Sequence, residues 1–152
     1  MAGRFFSTDE ARQMARSRLP RMMFDFVDGA AGDESLRDIN SRVIDAIRLM
    51  PRVLADVATR DLSHSFLGMQ TGSPFGIAPM GMCNLTWPGA DMMLARAAAA
   101  RRIPVCVSTA SSTTLEAMQD VAGGNAWFQL YADRSAAFTD ELVDRAETAG
   151  YE

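Results

Sequence analysis

The sequence predicts an α/β fold in which parallel strands alternate with helices, the opening portion of a closed parallel barrel, preceded by helices and a small β-hairpin. Three apolar runs, at 75–79, 104–108 and 126–131, each end in small or hydrogen-bonding residues, and each is followed by a helical pattern. None of the runs alternates apolar with polar residues as a strand with one wet face would, so the sheet they form is expected to be covered on both faces. In a barrel of this kind the polar groups at the C-terminal ends of the strands mark where chemistry sits.

Each element follows from local pattern. Thr8 or Asp9 offers an N-cap to a first helix whose apolar face is Ala11, Met14, Ala15 and Leu19. Pro20 opens a second over 21–28, carrying Met22, Met23, Phe26 and Val27 and ending at Gly29-Ala30-Ala31-Gly32. Asp33 is expected to cap a third, with Leu36, Ile39, Val43, Ile44 and Ile47 as its buried stripe. Past Pro51 the pattern changes to short extended pieces at 53–57 and 62–66, with Gly68 in a turn before Met69-Gln70-Thr71, a hairpin outside the main sheet that would lie across one barrel end. From Pro74 the rhythm is strand 75–79, helix 89–101, strand 104–108, helix 114–121, strand 126–131 and helix 136–149. Residues 1–73 thus read as N-terminal helices with a hairpin lid, and 74–152 as the first three βα units of an incomplete barrel. The chain stops at Gly150-Tyr151-Glu152, where a strand should begin, so it reads as a piece of an enzyme, with open sheet edges and no activity expected of it alone.

Bulk properties narrow the function. With 152 residues, 48% hydrophobic and 22% charged, the composition is that of a globular domain. A net charge of -4 and dispersed arginines argue against nucleic acid as a partner. Cys83 and Cys106 lie in different βα units without metal-spaced partners, so they read as free thiols in a reducing compartment, and no metal site is expected. The eleven methionines, at helical spacing, read as core filler. The N-terminus lacks the apolar stretch of a signal peptide and no window reaches the length of a membrane span, so the chain reads as cytoplasmic, with peripheral membrane attachment left to sequence outside it.

Among residues that could carry chemistry, Pro79-Met80-Gly81 alone is an ordinary strand-terminal turn. Ser108 and Gln129 stand at the same level of the expected barrel, and Tyr131 shares a face with Gln129 because side-chain direction repeats every two residues. A hydroxyl, an amide and a phenol converging there suit the heteroatom edge of a planar cofactor. His64, the one histidine, falls in the hairpin and reads as solvent-facing. Asp91 opens a helix and reads as structural; Arg52 and Asp56 read as a local pair of little consequence.

Taken in order, Arg18-Leu19-Pro20-Arg21-Met22, Phe24-Asp25-Phe26, Gly29-Ala30-Ala31-Gly32-Asp33-Glu34, Asn40, Pro51-Arg52-Val53-Leu54-Ala55-Asp56-Val57, Ala78-Pro79-Met80-Gly81, Trp87-Pro88-Gly89, Ala95-Arg96-Ala97-Ala98, Ser108-Thr109-Ala110-Ser111 and Trp127-Phe128-Gln129-Leu130-Tyr131 resemble the FMN-dependent α-hydroxy-acid oxidase and dehydrogenase family, which includes glycolate oxidase, L-lactate dehydrogenase and (S)-mandelate dehydrogenase. The segments span nearly the whole chain. The resemblance implies a (β/α)8 TIM barrel with FMN at its C-terminal face. It implies that the backbone of Ala78, Pro79, Met80 and Gly81 runs against the flavin ring, that Ser108 and Gln129 hydrogen-bond that ring, and that Tyr131 faces the substrate and stabilises developing charge as a catalytic group.

Two positions depart from the family. Phe26 stands where a tyrosine usually holds the substrate carboxylate, and losing a hydrogen bond to a charged group costs about 1.5–3 kcal/mol. Ala110 stands where glycolate-preferring members carry a bulky residue, which leaves room for a lactate- or mandelate-like side chain. The family's catalytic histidine, flavin-edge lysine, substrate arginines and phosphate loops come from later strands and are not in this sequence. The reaction implied for the parent is oxidation of an (S)-2-hydroxy acid to the 2-oxo acid, with oxygen, a quinone or a cytochrome as the second acceptor and a homo-oligomer as the full-length form. Two other readings stand beside it: a partial-barrel assembly module without catalysis, and another flavin barrel enzyme such as the type 2 isopentenyl-diphosphate isomerases.

Overall fold

The computed structural model describes residues 5–151, so the outer ends of the two expected segments, 1–4 and 152, lie outside the described residues. The chain divides into two compact units, Met1–Thr59 and Arg60–Glu152.

The first unit contains α1 (Thr8–Arg18), α2 (Arg21–Asp28) and α3 (Ser35–Asp45). Helix α1 is capped by Ser7, whose Oγ accepts from the Glu10 N–H, while the Glu10 carboxylate accepts from the Phe6 N–H. These two bonds place the start one residue before the expected Thr8 or Asp9 cap. Pro20 forces Leu19 into extended backbone and ends α1. A bidentate Arg12–Asp28 pair at 2.5 and 2.7 Å joins α1 to α2, and it holds the Asp28 carboxyl below the usual carboxylate range.

Helix α3 departs from expectation at both levels. Its N-cap is Glu34, in left-handed backbone at φ 62°, and Asp33 instead accepts from the Ser35 N–H in a turn one step earlier. Leu36, Ile39, Val43, Ile44 and Ile47 are exposed, not buried. Their spacing makes a continuous stripe, but a stripe is buried only by an apolar surface facing it, and none among the described residues covers this one. Residues 53–57 form no strand: 53 and 54 make a turn, with Leu54 at φ 59°, and 55–57 are irregular. Asp56 accepts from the Ala58 N–H, and among the described residues it makes no ion pair with Arg52.

The second unit holds the hairpin and the βα repeats. Strands β1 (His64–Phe66) and β2 (Met69–Thr71) pair antiparallel across Leu67 and Gly68, both at positive φ as the tight hairpin turn requires. Phe66 packs on Trp127 with ring centroids 5.3 Å apart, and the Gly72 N–H donates to the Arg102 carbonyl at 2.6 Å. Both contacts place the hairpin at the N-terminal ends of the sheet strands.

Those strands are β3 (Val105–Ser108) and β4 (Ala126–Gln129), parallel, with Val105 opposite Ala126 and Ser108 opposite Gln129. The strand expected at 75–79 is reduced to one parallel bridge, Ile77 to Val105. Ile77 donates to the Pro104 carbonyl at 2.8 Å and accepts from the Cys106 N–H at 2.9 Å. The next rung on one side would need an N–H from Pro79 and on the other an N–H from Pro104, and proline has none. The strand order is nevertheless that of three consecutive barrel strands.

Helices α4 (Ala90–Arg101), α5 (Leu115–Ala122) and α6 (Ala136–Thr148) follow. Val105, Val107 and Ala126 form one core with Ala95, Ala98, Leu115, Met118, Ala122 and Ala146. Ala95 and Ala98 are fully buried, and as small residues they let α4 lie close against the sheet. Met118 is core as expected, whereas Met22, Met50 and Met93 are exposed. Thr114 and Ser135 cap α5 and α6 with their hydroxyls. Among the described residues no helix is long and apolar enough to cross a membrane.

Gly76 meets β3 where it would tolerate no side chain: a Cβ there would lie 2.7 Å from both the oxygen and Cγ of Pro104. Gly76→Ala is expected to destabilise the protein by about 2 kcal/mol through forced separation of residue 76 from β3; a urea unfolding midpoint equal to that of the unsubstituted protein would contradict it.

Candidate functional site at the strand ends

Pairing dictates what shares a face. Residues opposite each other in a sheet point the same way, so Cys106, Ser108, Trp127 and Gln129 occupy one face, while Val105, Val107, Ala126 and Phe128 turn toward the helices. Ser108 and Gln129 are the last pair of the ladder.

Ser108 is 5% exposed; its Oγ donates to Gln129 Oε1 at 2.9 Å and accepts from the Ala110 N–H at 3.1 Å. With Oε1 engaged, the Gln129 carboxamide presents its NH2, which has no hydrogen-bond partner among the described residues. Two residues on, Tyr131 is 63% exposed, and its phenol makes no hydrogen bond among the described residues. Its backbone is held, however: the Tyr131 N–H donates to Thr109 Oγ1 at 2.9 Å, and that hydroxyl donates to the Gln129 carbonyl at 2.7 Å.

The segment after Ile77 reaches the same place. Met82 donates its N–H to the Ala110 carbonyl at 2.9 Å, and a Cβ on Gly81 would stand 3.1 Å from the Ala110 Cβ. Met80-Gly81-Met82, Ser108-Thr109-Ala110 and Gln129-Leu130-Tyr131 are therefore brought together at one end of the strands, with Ala78 and Pro79 leading in. Phe26 lies in the first unit and is 62% exposed.

Asp91 supports this end from below. It is 3% exposed in the first turn of α4, and its Oδ2 accepts from Ser111 Oγ at 3.1 Å, the Ser112 N–H at 3.0 Å and Thr113 Oγ1 at 3.3 Å. Three donors satisfy a buried carboxylate and fix the loop that carries Ala110. Cys83 lies nearby; burial, reinforced by Asp91, pushes its thiol up to about 11, so it stays protonated and unreactive at neutral pH. Burial likewise raises the Cys106 thiol. His64 is exposed in the hairpin, at the opposite end of the strands.

Chemically, a free carboxamide NH2 with a buried hydroxyl behind it fits the edge of a flat heteroaromatic ring, which offers carbonyl oxygens to the NH2. The arrangement contains no general base; its one phenol can donate to an oxygen atom. The Asp91 clamp and the role of Thr109 were not legible beforehand. A serine and threonine run following a strand, with an acidic residue opening the preceding helix, was the available signal for the clamp.

Residues 15–152 match the FMN-dependent dehydrogenase family, and the chain belongs to that family, the FMN-dependent α-hydroxy-acid oxidases and dehydrogenases. It is 37% identical over 144 residues to an L-lactate dehydrogenase of Caulobacter vibrioides, covering 95% of this chain and 38% of the relative. It is 37% identical over 131 residues to the (S)-mandelate dehydrogenase of Pseudomonas putida, covering 86% and 33%. A soluble mutant of that membrane-associated enzyme superposes with a TM-score of 0.89 at 35% identity over 97% of this chain and 42% of the other. A mandelate oxidase crystallised with (S)-4-hydroxymandelic acid superposes with a TM-score of 0.90 at 32% identity over 97% and 41%. The fold is therefore the corresponding part of a TIM barrel, and the chain spans about 40% of the length of the relatives it matches.

Asp91→Ala would leave three donors without their acceptor and is expected to cost about 3 kcal/mol, with Asp91→Asn retaining an acceptor and costing less than half of that. Equal unfolding free energies for the two variants in urea would show that Asp91 does not act as the acceptor.

Proposed function

We propose that the whole protein oxidises an (S)-2-hydroxy acid to the 2-oxo acid and passes the electrons to oxygen, a quinone or a cytochrome. The observation that carries this reading is the Ser108–Gln129 pair, with the carboxamide NH2 left free beside Tyr131 at the ends of adjacent parallel strands. FMN, when bound, supplies the two-electron acceptor for the hydroxy acid. Residues 74–152 are the first three βα units of its barrel, and 1–73 the helices and hairpin that precede them.

Within that site this chain's residues bind and orient. Gln129 would donate to a ring oxygen of the bound flavin, Ser108 keeps the carboxamide turned for that purpose, and the backbone of Ala78, Pro79, Met80 and Gly81 would help hold the ring. Tyr131 donates its phenolic hydrogen to the substrate's carboxylate or α-oxygen and stabilises charge that develops there. Ala110 leaves space for a methyl or phenyl substituent, and so favours lactate or mandelate over glycolate. Phe26 keeps an aromatic wall against the substrate without the hydroxyl that would hold its carboxylate. The proton is removed by a group in the remainder of the barrel, since the histidine present here, His64, is in the hairpin. The working enzyme is a homo-oligomer in the cytoplasm, with any peripheral membrane attachment made by segments outside this sequence.

The test is the visible spectrum of the full-length protein, purified with its flavin, before and after anaerobic addition of (S)-lactate or (S)-mandelate. Bleaching of the flavin band by either acid is expected, and the faster one names the preferred side chain. A flavin that neither acid bleaches would overturn the proposal.

A further inference from the structure

We propose that Thr109 is a positioning residue for the reaction: its hydroxyl extends the β3–β4 ladder by one rung and thereby sets the direction in which Tyr131 leaves the sheet. The proposal rests on the reading of Tyr131 as the substrate-facing donor.

The ladder itself shows what the hydroxyl replaces. The Thr109 N–H donates to the Gln129 carbonyl at 3.0 Å, as a parallel pair requires, and the following rung would run from the Tyr131 N–H to the Thr109 carbonyl. That rung is not made. At this point β3 has turned away, with the Ser111 N–H bonded to the Ser108 carbonyl at 2.9 Å and the Ala110 carbonyl taken by Met82. The Tyr131 N–H goes instead to Thr109 Oγ1 at 2.9 Å. The side chain stands where the main chain no longer can.

The same hydroxyl spends its hydrogen on the Gln129 carbonyl at 2.7 Å, so that oxygen accepts from both the N–H and the Oγ1 of Thr109. Both lone pairs of Gln129 O are then used, and the peptide between Gln129 and Leu130 cannot rotate without breaking two bonds. Tyr131, by contrast, has a largely exposed ring and a phenol with no hydrogen-bond partner among the described residues. Its direction comes from its backbone, and its backbone is held by Thr109. Valine has nearly the shape of threonine and lacks the hydroxyl; serine keeps the hydroxyl and loses the methyl.

The experiment uses the full-length holoenzyme carrying T109V, T109S, Y131F and the T109V/Y131F pair, with two readouts. The first is hydrogen exchange at the Tyr131 amide, which needs no turnover: T109V is expected to accelerate it at least about tenfold and T109S to leave it near the original rate, the scale set by one hydrogen bond. The second is steady-state kinetics with (S)-lactate and (S)-mandelate. T109V is expected to lower kcat about tenfold while T109S restores it, and T109V added to Y131F is expected to change kcat by less than about twofold, since both substitutions remove one function. Unchanged Tyr131 exchange in T109V overturns the proposal, and so does an equal T109V penalty in the presence and absence of the phenol. If the unsubstituted protein oxidises neither acid, the proposed function fails and the exchange rates alone decide whether Thr109 holds Tyr131.

Discussion

Everything at the proposed site depends on the register of β3 against β4. Ser108 meets Gln129 because Val105 meets Ala126 three residues earlier, and a slip of one residue would turn Gln129 toward the helices and put Phe128 in its place. The register is held by what lies on the other face: Val105, Val107 and Ala126 fill a core closed by the alanines of α4 and by Leu115 and Met118 of α5. The apolar residues thus act on the chemistry at one remove, by deciding which way a carboxamide points. The Ser108 hydroxyl then decides which end of that carboxamide is presented.

Around this pair the chain uses the limits of particular residues. Pro79 and Pro104 remove the rungs on either side of the Ile77 bridge, so the segment beyond Ile77 is released from the sheet just where it has to cross to Ala110. Gly81 and Ala110 are both small where they meet, and their contact distance leaves no room for growth at position 81. A larger residue at 110 would therefore act on the loop that carries Gly81 as well as on the substrate space. Asp91 holds the third side by collecting donors from Ser111, Ser112 and Thr113.

Much of this was legible in the sequence, and the parts that were not share a cause. The second helix fell at the expected 21–28 and the two-strand hairpin around Gly68, because proline, glycine and local periodicity determine such elements within a few residues. The βα units and the pairing of Ser108 with Gln129 followed from a period of two and from a resemblance the family match bears out, whereas the strand expected at 126–131 ends at Gln129 because β3 has turned away by then, so Tyr131 lies beyond the ladder. Helix caps were misplaced by a residue, since Ser7 or Thr8 and Asp33 or Glu34 differ only in backbone geometry that composition does not encode. The stripe of α3 was correctly patterned but assigned a covering it lacks among the described residues, because periodicity records a face and says nothing of its partner. The 75–79 strand shrank to one bridge through two prolines that were visible but whose loss of rungs depends on register. The Asp91 clamp and the Thr109 rung join residues about twenty positions apart and could be seen only once the strands were paired.

The most direct measurement of the central claim is a crystal structure of the full-length protein with FMN bound. The account predicts Gln129 Nε2 within hydrogen-bonding distance of a ring oxygen, with Ser108 Oγ still on Oε1. A ring whose nearest partner is Gln129 Oε1, or one bound away from the Ser108–Gln129 pair, would contradict it.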